Sequence, residues 1–437
     1  MRFKFRAMTI ALGLASATLP AQADDLYQIY QQALTKDPVL LQAKATRDAA
    51  FEAIDQSRAS LLPQISGSLG YGFNWFDDLG EQTDDGGSGN AGLSLNQSIY
   101  DHANYVNLAL SEKSASQSDA NYALAVQNLV VRVSQAYFDV LSAQDALEFV
   151  QANKRAIERQ LEQTKQRFAV GLTAITDVHE AQAQYDLAVA EEINAQNTLE
   201  NSYEGLREIT GIPHTDLAVL DTQRFSPSTP TPSTHEAWLA LGEESSLELL
   251  SRRLGVDIAK EQINLAKTGH LPSLGLSAGV TKSFSEDDRI GSISNDTTGN
   301  VALQLSVPIF QGFSVSSQVE QAKYNFVASS QALEESHRSV VRSLRNSLNN
   351  VNASMSTIRA YEQSVVSAES ALKATEAGFE VGTRTIVEVL TSTRQLYSAK
   401  QQLADARYNY ILAVLSLKQA AGTLSAEDVQ MINKGLK

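Results

Sequence analysis

The chain has 437 residues, 19% of them charged, no cysteine, and a formal net charge of −15. That overall acidity argues against nucleic acid and anionic membrane surfaces as partners, and the missing cysteines exclude disulfides, thiolate metal sites and cysteine nucleophiles. The six histidines are scattered, and no HExxH, GxxxxGK[ST] or EF-hand pattern occurs, so neither an enzyme, a metal site nor a cofactor is expected.

Arg2, Lys4 and Arg6 precede a short apolar run from Ala7 to Leu19, and Ala21-Gln22-Ala23 follows. This order predicts a secretory signal peptide over 1–23, with Asp24 as the first mature residue. Losing three cations takes the formal charge from −15 to −18. No later run reaches 18 apolar residues, so no transmembrane helix is expected. A periplasmic, a secreted and an outer-membrane strand protein all fit this hydrophobicity.

Residues 24–211 read as helix, two strands, long helix, turn and returning helix. Strands are expected at about 65–76 and 90–100. In the first, Leu69, Tyr71, Phe73 and Trp75 alternate with Ser68, Gly70, Gly72 and Asn74; in the second, Leu93, Leu95 and Ile99 alternate with small polar residues. Gly86-Gly87-Ser88-Gly89 reads as a loop tip between them. From Asp101 to about Arg167 there is neither proline nor glycine, which predicts about 100 Å of helix, continuous or in stacked segments. FAVGLTAITDV then supplies a hairpin tip at about 169–174, where Gly171 gives the backbone freedom to reverse. The returning helix stops at Gly211.

Residues 212–234 contain Pro213, Pro227, Pro230 and Pro232, four of the nine prolines, and predict a linker or a small irregular layer. The first pattern then recurs over 235–422. Strands are expected at about 274–284 and 300–310, and a hairpin tip at about 380–385 in FEVGTRTIVEV; residues 423–437 close the chain. Gly171 and Gly382 lie 211 residues apart, Leu93 and Leu303 lie 210 apart, and Leu62 and Leu271 lie 209 apart. One unit has been duplicated with small insertions. Asp177 and Glu388 each fall six residues after the turn glycine, at a helix N-terminus where negative charge suits the dipole.

The four strands have the length needed to cross a bilayer at a tilt. A half-buried sheet on a soluble core is the commoner use of such alternation. Small polar residues on one face, aromatics near strand ends and the export signal favour lipid instead. A membrane sheet tolerates no free edge, and four strands are fewer than the roughly eight of the smallest barrels. Copies must therefore pool strands, whether two or three. A non-conducting periplasm-spanning tether or adhesin-like surface protein is the alternative use of the same helices.

Several phrases carry a family resemblance: LLPQIS, AYFDVLSAQDALEFVQANK, QRFAVGLTAITDV, REITGIP, GHLPSLGLSAG, PIFQG, SHRSVVRSLRNSLNNVNAS and AGFEVGTRTIVEVL. With the duplicated plan, the chain resembles the TolC family of outer-membrane efflux channels over essentially its whole mature length. The resemblance implies a mainly α fold with transmembrane β: a homotrimer whose twelve strands form one barrel, continuous with a periplasmic α-helical barrel. It places the 212–234 and 423–437 segments in an equatorial layer around the helices. It also implies docking of periplasmic adaptor proteins and inner-membrane efflux or type I secretion pumps at the hairpin tips near Gly171 and Gly382. Drugs and secreted proteins would be the cargo. For the gate, Thr176 and Asp177 match link acceptors, Arg384 matches the arginine that reaches them, and Gln166 and Lys400 match further tip positions. Glu388 matches the first of two constriction acids. The second is replaced by Thr391, and Phe379 stands where a tyrosine would bond the aspartate, so the resemblance implies a single carboxylate ring and a gate short of one hydroxyl.

Overall fold

The computed structural model describes residues 24–74, 86–287 and 292–437. The expected signal peptide, Trp75 and the tips of both strand connections lie outside the described residues.

The first unit runs α1 (Leu26–Lys36), α2 (Pro38–Ala59), β1 (Gln64–Asn74), β2 (Gly86–Tyr100), α3 (His102–Ala169) and α4 (Ile175–Thr210). The second runs α5 (His235–Ser245), α6 (Leu247–Thr268), β3 (Ser273–Asp287), β4 (Ser292–Ser306), α7 (Ser314–Glu380) and α8 (Ile386–Ala420), with α9 (Ala426–Asn433) behind it. Each opening helix, expected as one, is two. Asp37 ends α1 and caps α2, accepting from the Leu40 amide at 2.8 Å, while Pro38 has no N–H with which to extend α1. Ser246 makes the equivalent break between α5 and α6.

Helix α3 is a single piece of 68 residues and α7 one of 67. The returning helices are only 36 and 35 residues, so α4 retraces about half of α3. The other half of α3 is covered by α2 and α6: Ser57 meets Ser111 at 2.5 Å, and Lys113 pairs with Glu261 at 3.0 Å. Midway along the long helices sits the main core. Tyr137 and Phe138 are fully buried there, with Phe138 stacked on Tyr408 at 5.5 Å. The proline-rich segment and the C-terminus wrap this level. Tyr137 Oη donates to the Ala218 carbonyl at 2.5 Å, Trp238 Nε1 donates to that of Pro232 at 2.6 Å, and Leu220 bridges to Leu436.

The four strands form one antiparallel sheet in the order β1-β2-β3-β4, so the two units meet through β2 and β3. Three strands are longer toward the loops than expected, starting at Gly86, ending at Asp287 and starting at Ser292. The polar composition there reads as loop, yet backbone pairing continues. Gly86–Gly89 belongs to β2 and is no loop tip: the Tyr71 and Phe284 rings lie over Gly87 and Gly89 and leave no room for a Cβ. At the helix end β4 stops at Ser306, short of about 310, because Pro308 cannot donate to a ladder. A bulge in β2 sets Tyr100 opposite Leu274.

Candidate functional site

Two regions concentrate features that packing within one chain does not explain: the sheet and the hairpin tips. On one sheet face large apolar side chains stand open, with Leu69 89% exposed, Val301 78% and Ile65 72%. The other face carries hydroxyls and amides, such as Ser66 and Ser94, whose oxygens lie 2.7 Å apart. The apolar band continues past β4 through Val307 and Ile309. So extended an exposed apolar surface is not tolerated in water. Strands β1 and β4 each leave one ladder edge unpaired. Among the described residues, no helix is long and apolar enough to cross a membrane.

Both tips turn through a glycine with positive φ, +76° at Gly171 and +80° at Gly382, where a side chain would be strained whatever the space. The backbone closes alike at each: Leu172 N donates to Arg167 O and Thr383 N to Gly378 O, both at 2.8 Å. The helices that follow start differently. Ala174 precedes α4 without a side-chain cap, and Asp177 accepts instead from the Thr173 hydroxyl. Thr385 precedes α8 in a full capping box. Its hydroxyl accepts from the Glu388 amide at 3.3 Å, while Glu388 Oε2 accepts from the Thr385 amide at 2.7 Å.

Arg384 Nη1 reaches Glu388 Oε1 at 2.5 Å, with both side chains well exposed. The Thr385 amide, then Arg384 and the Thr385 hydroxyl, hold the Glu388 carboxyl below the usual glutamate range. Within one chain, then, the structure brings Arg384 to Glu388, while Asp177 sits with Thr173. Thr176 and Gln166 are exposed. Lys400 pairs across to Glu369 on α7 at 3.1 Å. Between the hairpins, Ile157, Leu161, Ala181, Ala188, Ile386 and Leu390 form a small buried cluster. Phe379 packs on it and receives the Arg167 guanidinium over its ring at 4.6 Å. Sequence reading missed two of these features. The Thr385-x-x-Glu388 box was written in the spacing, whereas Arg167 on Phe379 is a contact across more than 200 residues with no local signal.

A duplicated unit of helices about 100 Å long, joined to an open-edged sheet that exposes its apolar side, defines one subunit of a membrane-anchored helical tube. Comparison with known proteins makes this particular. The outer membrane efflux protein family matches residues 29–212 and 238–423. The outer membrane protein TolC of Vibrio cholerae is 48% identical over 436 residues, covering 99% of each chain. The alkaline protease secretion protein AprF of Pseudomonas aeruginosa is 32% identical, over 92% of this chain and 85% of its own. The fold is that of the Campylobacter jejuni CmeC outer membrane channel: TM-score 0.76 over 94% of this chain and 90% of that one, at 16% identity. The chain belongs to the outer membrane efflux protein family, with its sheet in the outer membrane and its helices in the periplasm.

Proposed function

We propose that three copies of this chain form an export duct. Their twelve strands close one barrel in the outer membrane, and their long helices form one periplasmic tunnel. The observation that carries this reading is the four-stranded sheet with two unpaired edges and an exposed apolar face. In lipid each unpaired backbone group is costly, and only closure across subunits removes both edges. The hydroxyl-lined face then borders water. No energy source is built into the chain, so the duct is passive and depends on inner-membrane efflux or type I secretion pumps with periplasmic adaptors. These dock at the tips around Gly171 and Gly382. The secretion protein AprF supports protein cargo beside small molecules.

At the tip, Glu388 supplies one ring of three carboxylates near the axis, which favours cations. Asp177 and Thr176 accept links from the neighbouring hairpin, Arg384 supplies one, and Gln166 and Lys400 add polar contacts. The test is the mass of the mature protein in detergent, followed by its conductance in a planar bilayer. A trimer that conducts cation-selectively is expected. A monomer stable without detergent would end this reading.

A further inference from the structure

The apolar face of the sheet carries one charge among its described side chains. Lys282 of β3 stands opposite Ala91 on β2 and Thr297 on β4, in the row that Leu69 completes on β1. Its side chain is exposed. Toward the helices the next two positions on β3 are Val280 and Ala278, opposite Leu93 and Leu95. Toward the loops the next row holds Tyr71 and Phe284, whose rings lie 6.3 Å apart across Gly89. Asn295 ends that row on β4.

A lysine on the lipid face of a barrel is strongly unfavourable at the midplane and nearly neutral at the interface, and aromatic rings girdle that interface. Lys282 sits one row inside such a ring pair. One row is about 7 Å along a strand, or about 5 Å of height at the usual tilt. A four-carbon stem spans that distance and brings the ammonium level with the rings. Thr297 and Asn295 add two hydrogen-bonding groups on the same face beside it. This end of the sheet is the one away from the helices, so it faces the outer leaflet.

We propose that Lys282, with Thr297 and Asn295 beside it, binds a phosphate group on the head of an outer-leaflet glycolipid. Tyr71 and Phe284 lie against the boundary between its sugars and acyl chains. The site rests on the lipid reading of the apolar face. Each subunit supplies one, so a trimer presents three around the barrel. The contribution is charge complementarity at one point, held in place by the ring pair over Gly89.

The purified trimer is tested by native mass spectrometry with a bis-phosphorylated lipid A and with its dephosphorylated form. The same preparations give oligomer mass and conductance. The wild type is expected to retain up to three phosphorylated lipids per trimer. K282R keeps them, and K282Q weakens retention by about five-fold or more, as for one basic group at a membrane surface. Mass and conductance of K282Q stay at wild-type values. Equal retention by K282Q and wild type overturns the site, as does equal retention of the dephosphorylated lipid. Displacement by excess inorganic phosphate assigns the site to free phosphate and overturns the lipid. If K282Q does not assemble, wild-type preference for phosphorylated over dephosphorylated lipid and its weakening in T297V decide instead. A wild type that is neither trimeric nor conducting defeats the duct reading itself, which separates the two failures.

Discussion

The two repeats share a backbone plan and differ in how they secure it. In the first, the break between opening helices is held by a charge: Asp37 is 1% exposed, caps α2, and receives Arg132 through two contacts at 2.5 and 3.2 Å. In the second, the same break rests on the neutral Ser246. At the tips the emphasis reverses. The hairpin of the second repeat has the capping box and the Arg384–Glu388 pair, while that of the first leaves Ala174 without a cap. Duplication conserved the fold, and each copy then put its polar anchoring at a different end. In a barrel built of both, the first repeat is anchored at the equator and the second at the tip. The returning helix of the first hairpin therefore starts with fewer polar contacts of its own.

The largest test of this contrast is at the equator. Asp37→Ala removes a cap and a charged hydrogen-bond acceptor together, an expected loss of about 2–3 kcal/mol. Ser246→Ala removes a cap alone, about 1 kcal/mol. Amide hydrogen exchange in α2 and in α6 reads the two losses separately. Equal acceleration of both segments would mean that Arg132 contributes nothing and that the equatorial asymmetry is only one of residue type.

A smaller exchange of character should be possible at the tips. Thr385→Ala is expected to loosen the first turn of α8 by about 1 kcal/mol, and Ala174→Ser to tighten that of α4 by a similar amount. Both are read from exchange of the first-turn amides. Should Ala174→Ser change nothing, the difference between the tips lies in their packing and not in their caps.

How far these features were legible follows from what fixes each. The turns at Gly171 and Gly382 were readable because positive φ restricts residue choice locally. The strands were readable from alternation, which is likewise local, but their ends were not. Beyond Phe284 the residues turn polar while the ladder continues to Asp287, and pairing between backbones leaves no mark in side-chain pattern. The break at Asp37-Pro38 was written plainly as cap followed by proline, and its match at Ser246 was hidden because no proline marks it. The short reach of α4 was readable from Gly211, but what covers the rest of α3 was not, since α2 is a partner chosen by tertiary packing. Bonds such as Tyr408 Oη to Asp145 at 2.6 Å, between residues 263 apart, belong to the same class. Within the candidate site, residue types were legible and partners were not: Arg384 was expected on Asp177, and in one chain it meets Glu388.

That last partnership sets the finest prediction. Glu388 has a folded pKa below its unfolded value, so its cap and pair contribute above the usual glutamate range and are lost as pH falls through the lower folded value. Within one hairpin the Glu388 charge should therefore persist through mild acid, while repulsion among three carboxylates in the proposed ring would raise the acid midpoint of cation selectivity above that of a single hairpin. Arg384→Ser removes one of three groups holding the charge, while the Thr385 amide, the foremost of them, remains. The acid midpoint of selectivity in single-channel recordings should then rise above that of the wild type. On the proposed gate, in which Arg384 links neighbouring hairpins, resting conductance should rise as well. Two dissociated results would be informative. A shifted midpoint at unchanged conductance keeps Glu388 on the axis and confines Arg384 to its own helix. Raised conductance at an unshifted midpoint means that in the assembled tip Arg384 has left Glu388 for the neighbouring hairpin, where Asp177 waits.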